Sequence, residues 1–389
     1  MGKFCFLTGG ESHGKGLVAI VEGMVADLPL EESYINKELK RRQQGYGRGP
    51  RMKIEDDMAE IIAGVRHGFT TGSPVALFIN NRDWQNWQEQ LSISPLGKEV
   101  EPVTCPRPGH ADLAGMIKYS LRDIRPIIER ASARETAARV AVGAIARKLL
   151  EEFGVVIHSH TTAIGQHNWE QEKTSHIDWQ EVEASPVRCA DAELEKAMTA
   201  AIDEAKANGD TLGGVFELIT TGVPIVLGSH VSWDRRLDGR IAQAIMSINA
   251  VKGVEIGAGF TLAGLRGSQA HDVIEPNPRR KAQGLAWRHA TNRAGGIEGG
   301  ISNGENIIVR AAVKPIATLA DPLSSIDFRS GEKAEAHYER SDICIVPAAG
   351  VIGEAMLAIV LANVCLDKFA GDNLRETLAN YRNYLTNIS

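Results

Sequence analysis

The sequence predicts an α+β fold, organised as one domain over residues 1–389. Three observations carry that prediction. Segments with the helical spacing of apolar residues alternate with shorter strand-like runs along the whole chain. No low-complexity linker separates one stretch from another, which favours a single unit over separate domains. The order helix, strand, T-T-G-x-P, strand occurs twice, at 70–74 and 220–224, about 150 residues apart, a short echo that hints at internal duplication.

The elements follow in order. Pro29 to Gln44 reads as a helix, with Ile35 and Leu39 four apart and Gly45 just beyond its end. A glycine-punctuated basic loop, GYGRGPRMK, comes next. Residues 59–80 read as two strands around TTGSP, in which Gly72 and Pro74 supply the turn's backbone angles. Residues 81–133 read as loop-rich. A helix then runs from Arg134 to Phe153 with Val142, Ile145, Leu149 and Phe153 on one face, stopped by Gly154. Another spans Asp191 to Asn208, with Leu194, Met198 and Ile202 aligned. Strands are expected on both sides of TTGVP, then a helix from Leu237 to Ala250. The glycine-dense RAGGIEGGISNG (293–304) leads into the strand NIIVRAAV. A buried helix near 351–368 and an amphipathic one carrying Leu374, Leu378, Tyr381 and Leu385 close the chain.

Composition excludes several classes. A net charge of −6 argues against a general nucleic-acid binder, and 5% aromatic residues offer few stacking platforms for single strands. The five cysteines are odd in number and far apart, with no C-x-x-C, so reduced thiols in the cytoplasm are expected rather than a zinc site or disulfides. The N-terminus lacks the apolar run of a signal peptide. The most apolar stretch, AMLAIVLANVCL (355–366), is shorter than a membrane span of about 18 residues or more. No partner membrane is expected.

Candidate chemistry sits where basic residues gather in an acidic protein. Between 37 and 53 stand Lys37, Lys40, Arg41, Arg42, Arg48, Arg51 and Lys53. A solvated helix face accounts for Lys37, Lys40 and Arg41. Arg48 and Arg51 lie among glycines and a proline, where a loop can aim their forks at phosphate or carboxylate. A second cluster, 107–136, holds Arg107 and His110 in a Pro-Gly turn. Arg125, Arg130 and Arg134 gather near a helix start that Ser132 could cap, and free amides there favour an anion. Arg340 and Asp342 precede a strand-like run, and on their own such an Arg-x-Asp pair reads first as a structural ion pair. Ser12 and His13 sit in the glycine run TGGESHGKGL, which reads either as a flexible turn or as a backbone cradle for an anion with His13 as proton donor. His158 and His160 read as surface strand histidines rather than metal ligands. There is no dinucleotide G-x-G-x-x-G after a strand, no phosphate-binding G-x-x-x-x-G-K-[ST] and no G-x-S-x-G elbow. The constellation suits a small polyanion handled by acid/base chemistry.

Together these segments resemble the chorismate synthase family. GESHG, QGYGRGPRM, RPGHAD, RASARET, SINAVKGVEIG, AGGIEGGISNG, VKP and RSD occur in the family's order over nearly the whole chain. The resemblance implies a β–α–β sandwich, a homotetramer and a lyase. Its reaction is the trans-1,4 elimination of phosphate from 5-enolpyruvylshikimate 3-phosphate to give chorismate, the last step of the shikimate pathway. It depends on reduced FMN (FMNH2), with NADPH as an indirect reductant.

By the same resemblance His13 protonates the departing phosphate, His110 sits by the flavin and Asp342 relays a proton. Flavin contacts fall on Arg130, Ala131, Ser132, Asn249, Ala250, Gly299, Lys314, Pro315, Ile316, Ala317, Thr318 and Arg340. Ser12, Arg42, Arg48, Arg51, Arg107 and Arg134 fall to substrate or NADP. Two rivals use part of the same set: an anion-binding regulatory protein, which would not need His13 and His110, and an NADPH-consuming flavin reductase.

Overall fold

Two antiparallel sheets are built by the alternation of buried and exposed residues that the strands carry. The computed structural model describes residues 4–49, 54–98, 100–169, 177–277 and 286–387. In the first sheet the strands lie in the order Cys5–Gly9, Gly16–Glu22, Val75–Asn80, Ala59–Ala63, each antiparallel to its neighbour. Leu17, Ala19 and Val21 point inward and are buried, while Val18 and Ile20 face outward. The second sheet runs Val251–Ile256, Ile307–Val313, Gly214–Thr221, Val156–Ile164, with the short His167–Asn168 at its edge.

The helices are α1 (Glu32–Gln43), α2 (Asp112–Lys118), α3 (Arg125–Ala131), α4 (Thr136–Glu152), α5 (Trp179–Ala184), α6 (Ala192–Ala207), α7 (Leu237–Met246), α8 (Gly267–Ala270), α9 (Val346–Phe369) and α10 (Leu374–Asn387). Of these, α4 packs on the first sheet, α9 on the second, and the two pack on each other. The result is a sheet–helix–sheet sandwich. Sandwiching explains the composition of α4, whose Ala137, Ala138, Val140, Ala141, Ile145 and Leu149 are buried on more than one side. The two helices approach closely because Gly143 has no side chain; a Cβ there would stand 2.4 Å from the Cβ of Ala355. Helix α9 is long and apolar enough to cross a membrane, but 94% of its most apolar window is buried inside the protein. One apolar core joins Leu77 and Ile79 of the first sheet to Phe216 and Leu218 of the second.

The duplication is present, though its marker is different from the one the sequence offered. Numbered along the chain, the four main strands of each half lie in the spatial order 1-2-4-3. A helix separates strands 2 and 3 in each half (α1 or α7), and a long helix follows strand 4 (α4 or α9). The T-T-G-x-P turns are not equivalent. TTGSP precedes strand 4 of the first half, whereas TTGVP follows strand 2 of the second and leads into no strand, only an isolated bridge from Gly228 to Ile301. Residues 81–133, read as loop, also hold α2, α3 and a short turn of 3-10 helix at Arg82–Asn86. These are too short for apolar periodicity to show.

Two further expectations fail for one reason: tertiary contacts bury what local sequence leaves open. Arg41 does not lie on a solvated face but inserts between α1, α5 and α9, 2.8 Å from Glu354. His160 is 1% exposed and donates from Nε2 to Glu217 Oε1 at 3.0 Å. Its neighbour His158 stacks on Trp179.

Candidate active site

The turn between the first two strands carries Ser12 and His13. At Gly10 the chain adopts a φ of 110°, and a Cβ would lie 2.4 Å from the Gly16 carbonyl oxygen, so only glycine lets the chain fold back here. The buried amide of Asn81 then pins the turn by donating to the carbonyls of Glu11, Ser12 and Gly14 at 3.1, 3.2 and 2.7 Å. The turn is pinned rather than flexible. Glu129, on α3, fixes the histidine. The His13 backbone N–H donates to Glu129 Oε2 at 2.7 Å, and His13 Nδ1 lies 2.9 and 3.1 Å from the two carboxylate oxygens. The imidazole stacks on Trp87 with ring centroids 4.1 Å apart.

A second wall comes from the loop entering α2. Asp112, fully buried, accepts from Arg107 Nε at 2.8 Å and from His110 Nδ1 at 2.5 Å. Burial opposes ionisation of Asp112, but the hydrogen bonds from His110 and Arg107 prevail and hold its carboxyl well below the usual range. Arg107 Nη1 also donates to Thr318 Oγ1 at 3.0 Å, tying this wall to the segment after the strand Ile307–Val313.

Arginines make the third wall. Ser132 caps the turn before α4 by accepting from Arg134 N, and its hydroxyl accepts from Ser12 Oγ at 3.0 Å. Arg134 grips Asn81 Oδ1 through Nε and Nη2 and pairs with Asp57. Arg42 shares Asp57 at 3.2 Å and donates to Thr136 Oγ1 and Ala133 O. Burial pulls the Arg42 guanidinium down to about 10, with Arg48 and Arg134 adding to the effect against Asp57, so it stays charged near neutral pH. Asp342 pairs with Arg48 at 3.2 Å, rather than with Arg340, and accepts from Gly49 N at 2.5 Å.

These walls enclose a cavity of about 420 Å³. Ser12, His13, Arg42, Arg48, Arg107, His110, Arg134 and Asp342 line it, as do Ala131, Ser132, Asn249, Ala250, Lys314, Ile316, Ala317, Thr318 and Arg340. Gly299, Pro315 and Arg130 do not. Gly299 sits at the tip of the hairpin Ile297–Glu298/Ile301–Ser302. Arg130 lies in a neighbouring recess and donates to Thr8 and Gly10, which places it behind the Ser12–His13 turn. Arg51 lies outside the described residues.

Sequence reasoning missed Glu129, Asp112, Asp57, Asn81 and Trp87. The first two fall within the basic cluster 107–136, where attention to cations hid the carboxylates that orient them. The others have no local signal, since they reach the site only through the sheet.

Comparison with known proteins agrees with this geometry. A sequence model described as chorismate synthase matches residues 4–366. The chorismate synthase of Moorella thermoacetica is 57% identical over 389 residues, covering 98% of this chain and 99% of that protein. That of Aquifex aeolicus is 53% identical over 393 residues, with 98% of each covered. A solved structure titled as a chorismate synthase superposes with a TM-score of 0.78 at 44% identity, covering 99% of this chain and 98% of that one. A cationic cavity with two carboxylate-anchored histidines, on a fold shared end to end with such relatives, means that the chain belongs to the chorismate synthase family of lyases.

Proposed function

We propose that this protein converts 5-enolpyruvylshikimate 3-phosphate to chorismate by trans-1,4 elimination of phosphate, with reduced FMN as cofactor. The observation that carries the reading is His13, held through Nδ1 by Glu129 at the edge of a cavity that Arg42, Arg48, Arg107, Arg134, Lys314 and Arg340 also line. The substrate has one phosphate and two carboxylates, the anions that guanidinium forks recognise. The cavity suits a flavin as well. Asn249 Oδ1 is a buried acceptor with no hydrogen-bond partner among the described residues, fit for a ring N–H. Ile128, Ile316 and Ile345 offer an apolar wall to a flat ring system.

In this mechanism His13 gives a proton to the phosphate as the C–O bond breaks. Arg48 and Arg134 hold the anion while charge builds on it. His110, positioned by Asp112, would help hold the flavin ring, and Asp342 would relay out of the cavity the proton that originates at C6. When bound, reduced FMN would lend electron density that weakens the C–O bond and take it back as the C6 hydrogen leaves, so that flavin is not consumed. NADPH acts indirectly, by keeping flavin reduced. The whole chain works as one catalytic unit, which the core shared by both sheets supports. Exposed Leu7, Val18 and Ile20 on the outer face of the first sheet support a homotetramer, and the five free cysteines support the cytoplasm as its compartment.

The test is anaerobic turnover with dithionite-reduced FMN. Chorismate and phosphate should form together, and oxidised FMN should support no turnover. Equal rates with both forms would overturn the mechanism.

A further inference from the structure

We infer that Glu129 is the positioning residue for the acid His13, fixing which ring nitrogen meets the leaving group. The inference rests on the function proposed above and deepens it. Glu129 is 1% exposed, and a buried carboxylate is costly unless its partners justify it. Those partners are mainly one residue. Both carboxylate oxygens approach His13 Nδ1, and one also accepts the His13 backbone N–H at 2.7 Å. Arg125 stands farther off, with Nη1 at 3.4 Å, and has its own carboxylate in Glu339 at 2.6 Å. An ion pair serving the fold alone would bind Arg125 at least as closely. Instead the carboxylate closes a stack in which Arg125 lies over one face of Trp87, 5.1 Å from its centroid, while His13 lies 4.1 Å from the same ring system.

The consequence is a fixed tautomer. An ionised carboxylate only accepts, so Nδ1 keeps its hydrogen whether the ring is neutral or charged. Nε2 is therefore the atom that exchanges a proton. When imidazolium protonates the phosphate oxygen, the Nε2 hydrogen leaves, the Nδ1 hydrogen stays on the side of Glu129, and neutral imidazole remains. Glu129 takes up no proton. The doubled anchor, ring and backbone on one carboxylate, prevents the ring turning to present the wrong nitrogen. That preorganisation is what a proton donor to a departing anion requires.

Two variants test this. Glu129→Ala removes the anchor. Glu129→Gln leaves an oxygen that can still accept from Nδ1. Glu129→Ala should lower kcat by about 10²-fold, approaching the loss in His13→Ala, with KM changed little. Glu129→Gln should recover part of that loss. In a His13→Ala background Glu129→Ala should slow kcat no further, because the two residues act as one unit. A multiplicative loss in the double variant, or a raised KM with kcat preserved, would overturn the inference.

A second readout needs neither substrate nor flavin. The emission of Trp87, obtained as the difference from Trp87→Phe in each background, should change in Glu129→Ala as it does in His13→Ala, since both release the stacked imidazole. Unchanged emission would overturn the inference even if the enzyme turns over. Conversely, a wild type that makes no chorismate, with variants that still show the emission change, would refute the proposed function and leave the Glu129 contact standing.

Discussion

The molecule buries two clusters of arginines and carboxylates, and they are built differently. In the first, Arg41, Arg147 and Arg188 meet Glu38, Glu183 and Glu354, and Ser159 donates to Glu354 Oε1 at 2.6 Å. Three cations face three anions between α1, α4, α5 and α9. In the second the charges are layered. Arg42, Arg48, Arg107, Arg134, Lys314 and Arg340 line the cavity, joined there, among the carboxylates of the described residues, by only Glu339 and Asp342. Asp57, Asp112 and Glu129 stand behind that wall. The same residue types thus give a lock in one place and a receptor in the other. What separates them is whether the anions are in front of the arginines or behind them.

The largest effect should come from the receptor's acid. His13→Ala should lower kcat by ~10²–10⁴-fold while substrate affinity largely survives, because the glycine turn and the arginines remain. Full kcat in the variant would reduce His13 to a turn residue.

The lock should fail differently. Glu354→Ala leaves three buried guanidinium groups to share Glu38 and Glu183, and it should cost about 3–5 kcal/mol in urea unfolding, with kcat of the folded protein unchanged. Acid should expose the same cluster. Burial opposes ionisation of Glu354 and Glu183, but the arginines around them prevail, holding Glu354 well below the usual range and Glu183 at about 2. Such carboxyls stabilise the fold fully above their unfolded value, 4.5, and the contribution is lost as pH falls towards 2. The urea midpoint should drop across that window, and less steeply in Glu354→Gln. A midpoint equally acid-sensitive in both would place the acid-labile charges elsewhere.

Next comes the front of the receptor. Arg48→Ala should weaken substrate binding by about 2–5 kcal/mol if its fork meets a desolvated anion, and flavin binding by less. Unchanged substrate affinity in calorimetry would return Arg48 to the role of partner to Asp342.

The sequence showed the front layer better than the back. Arg42, Arg48, Arg107 and Arg134 stand in basic, glycine-rich segments, and His13 and His110 sit in turns, so residue type and loop chemistry already mark them. Asp57 and Asn81 reach Arg134 from more than fifty residues away, across the sheet, and Trp87 reaches His13 from a stretch read as loop. No periodicity encodes such meetings. The long helices were legible because Val142, Ile145 and Leu149 recur at helical spacing on α4 and α9 is a nearly unbroken apolar run, but Arg41 shows the limit: its surroundings on α1 are polar, and its partner Glu354 lies 313 residues on. The duplication was legible only as a hint, because 1-2-4-3 pairing is a property of sheets rather than of short turns.

The smallest predicted effect probes the receptor where it carries no charge. Asn249 Nδ2 donates to Ala131 O at 3.0 Å, while Oδ1 is buried without a partner among the described residues. An unmet buried acceptor destabilises the protein by about 1–3 kcal/mol, and a ligand donor that meets it recovers part of that. Asn249→Ala deletes both the donor and the orphan, so the two changes offset and the stability of the ligand-less protein should move by less than about 1 kcal/mol. Affinity for reduced FMN should fall by about 1 kcal/mol, roughly fivefold, since only the bound state loses a satisfied hydrogen bond. Anaerobic flavin titration beside urea unfolding reads both quantities. A large loss of stability with unchanged flavin affinity would move Asn249 from the receptor's wall into the fold's support of Ala131, and the acceptor for the ring N–H would have to be another group in the cavity.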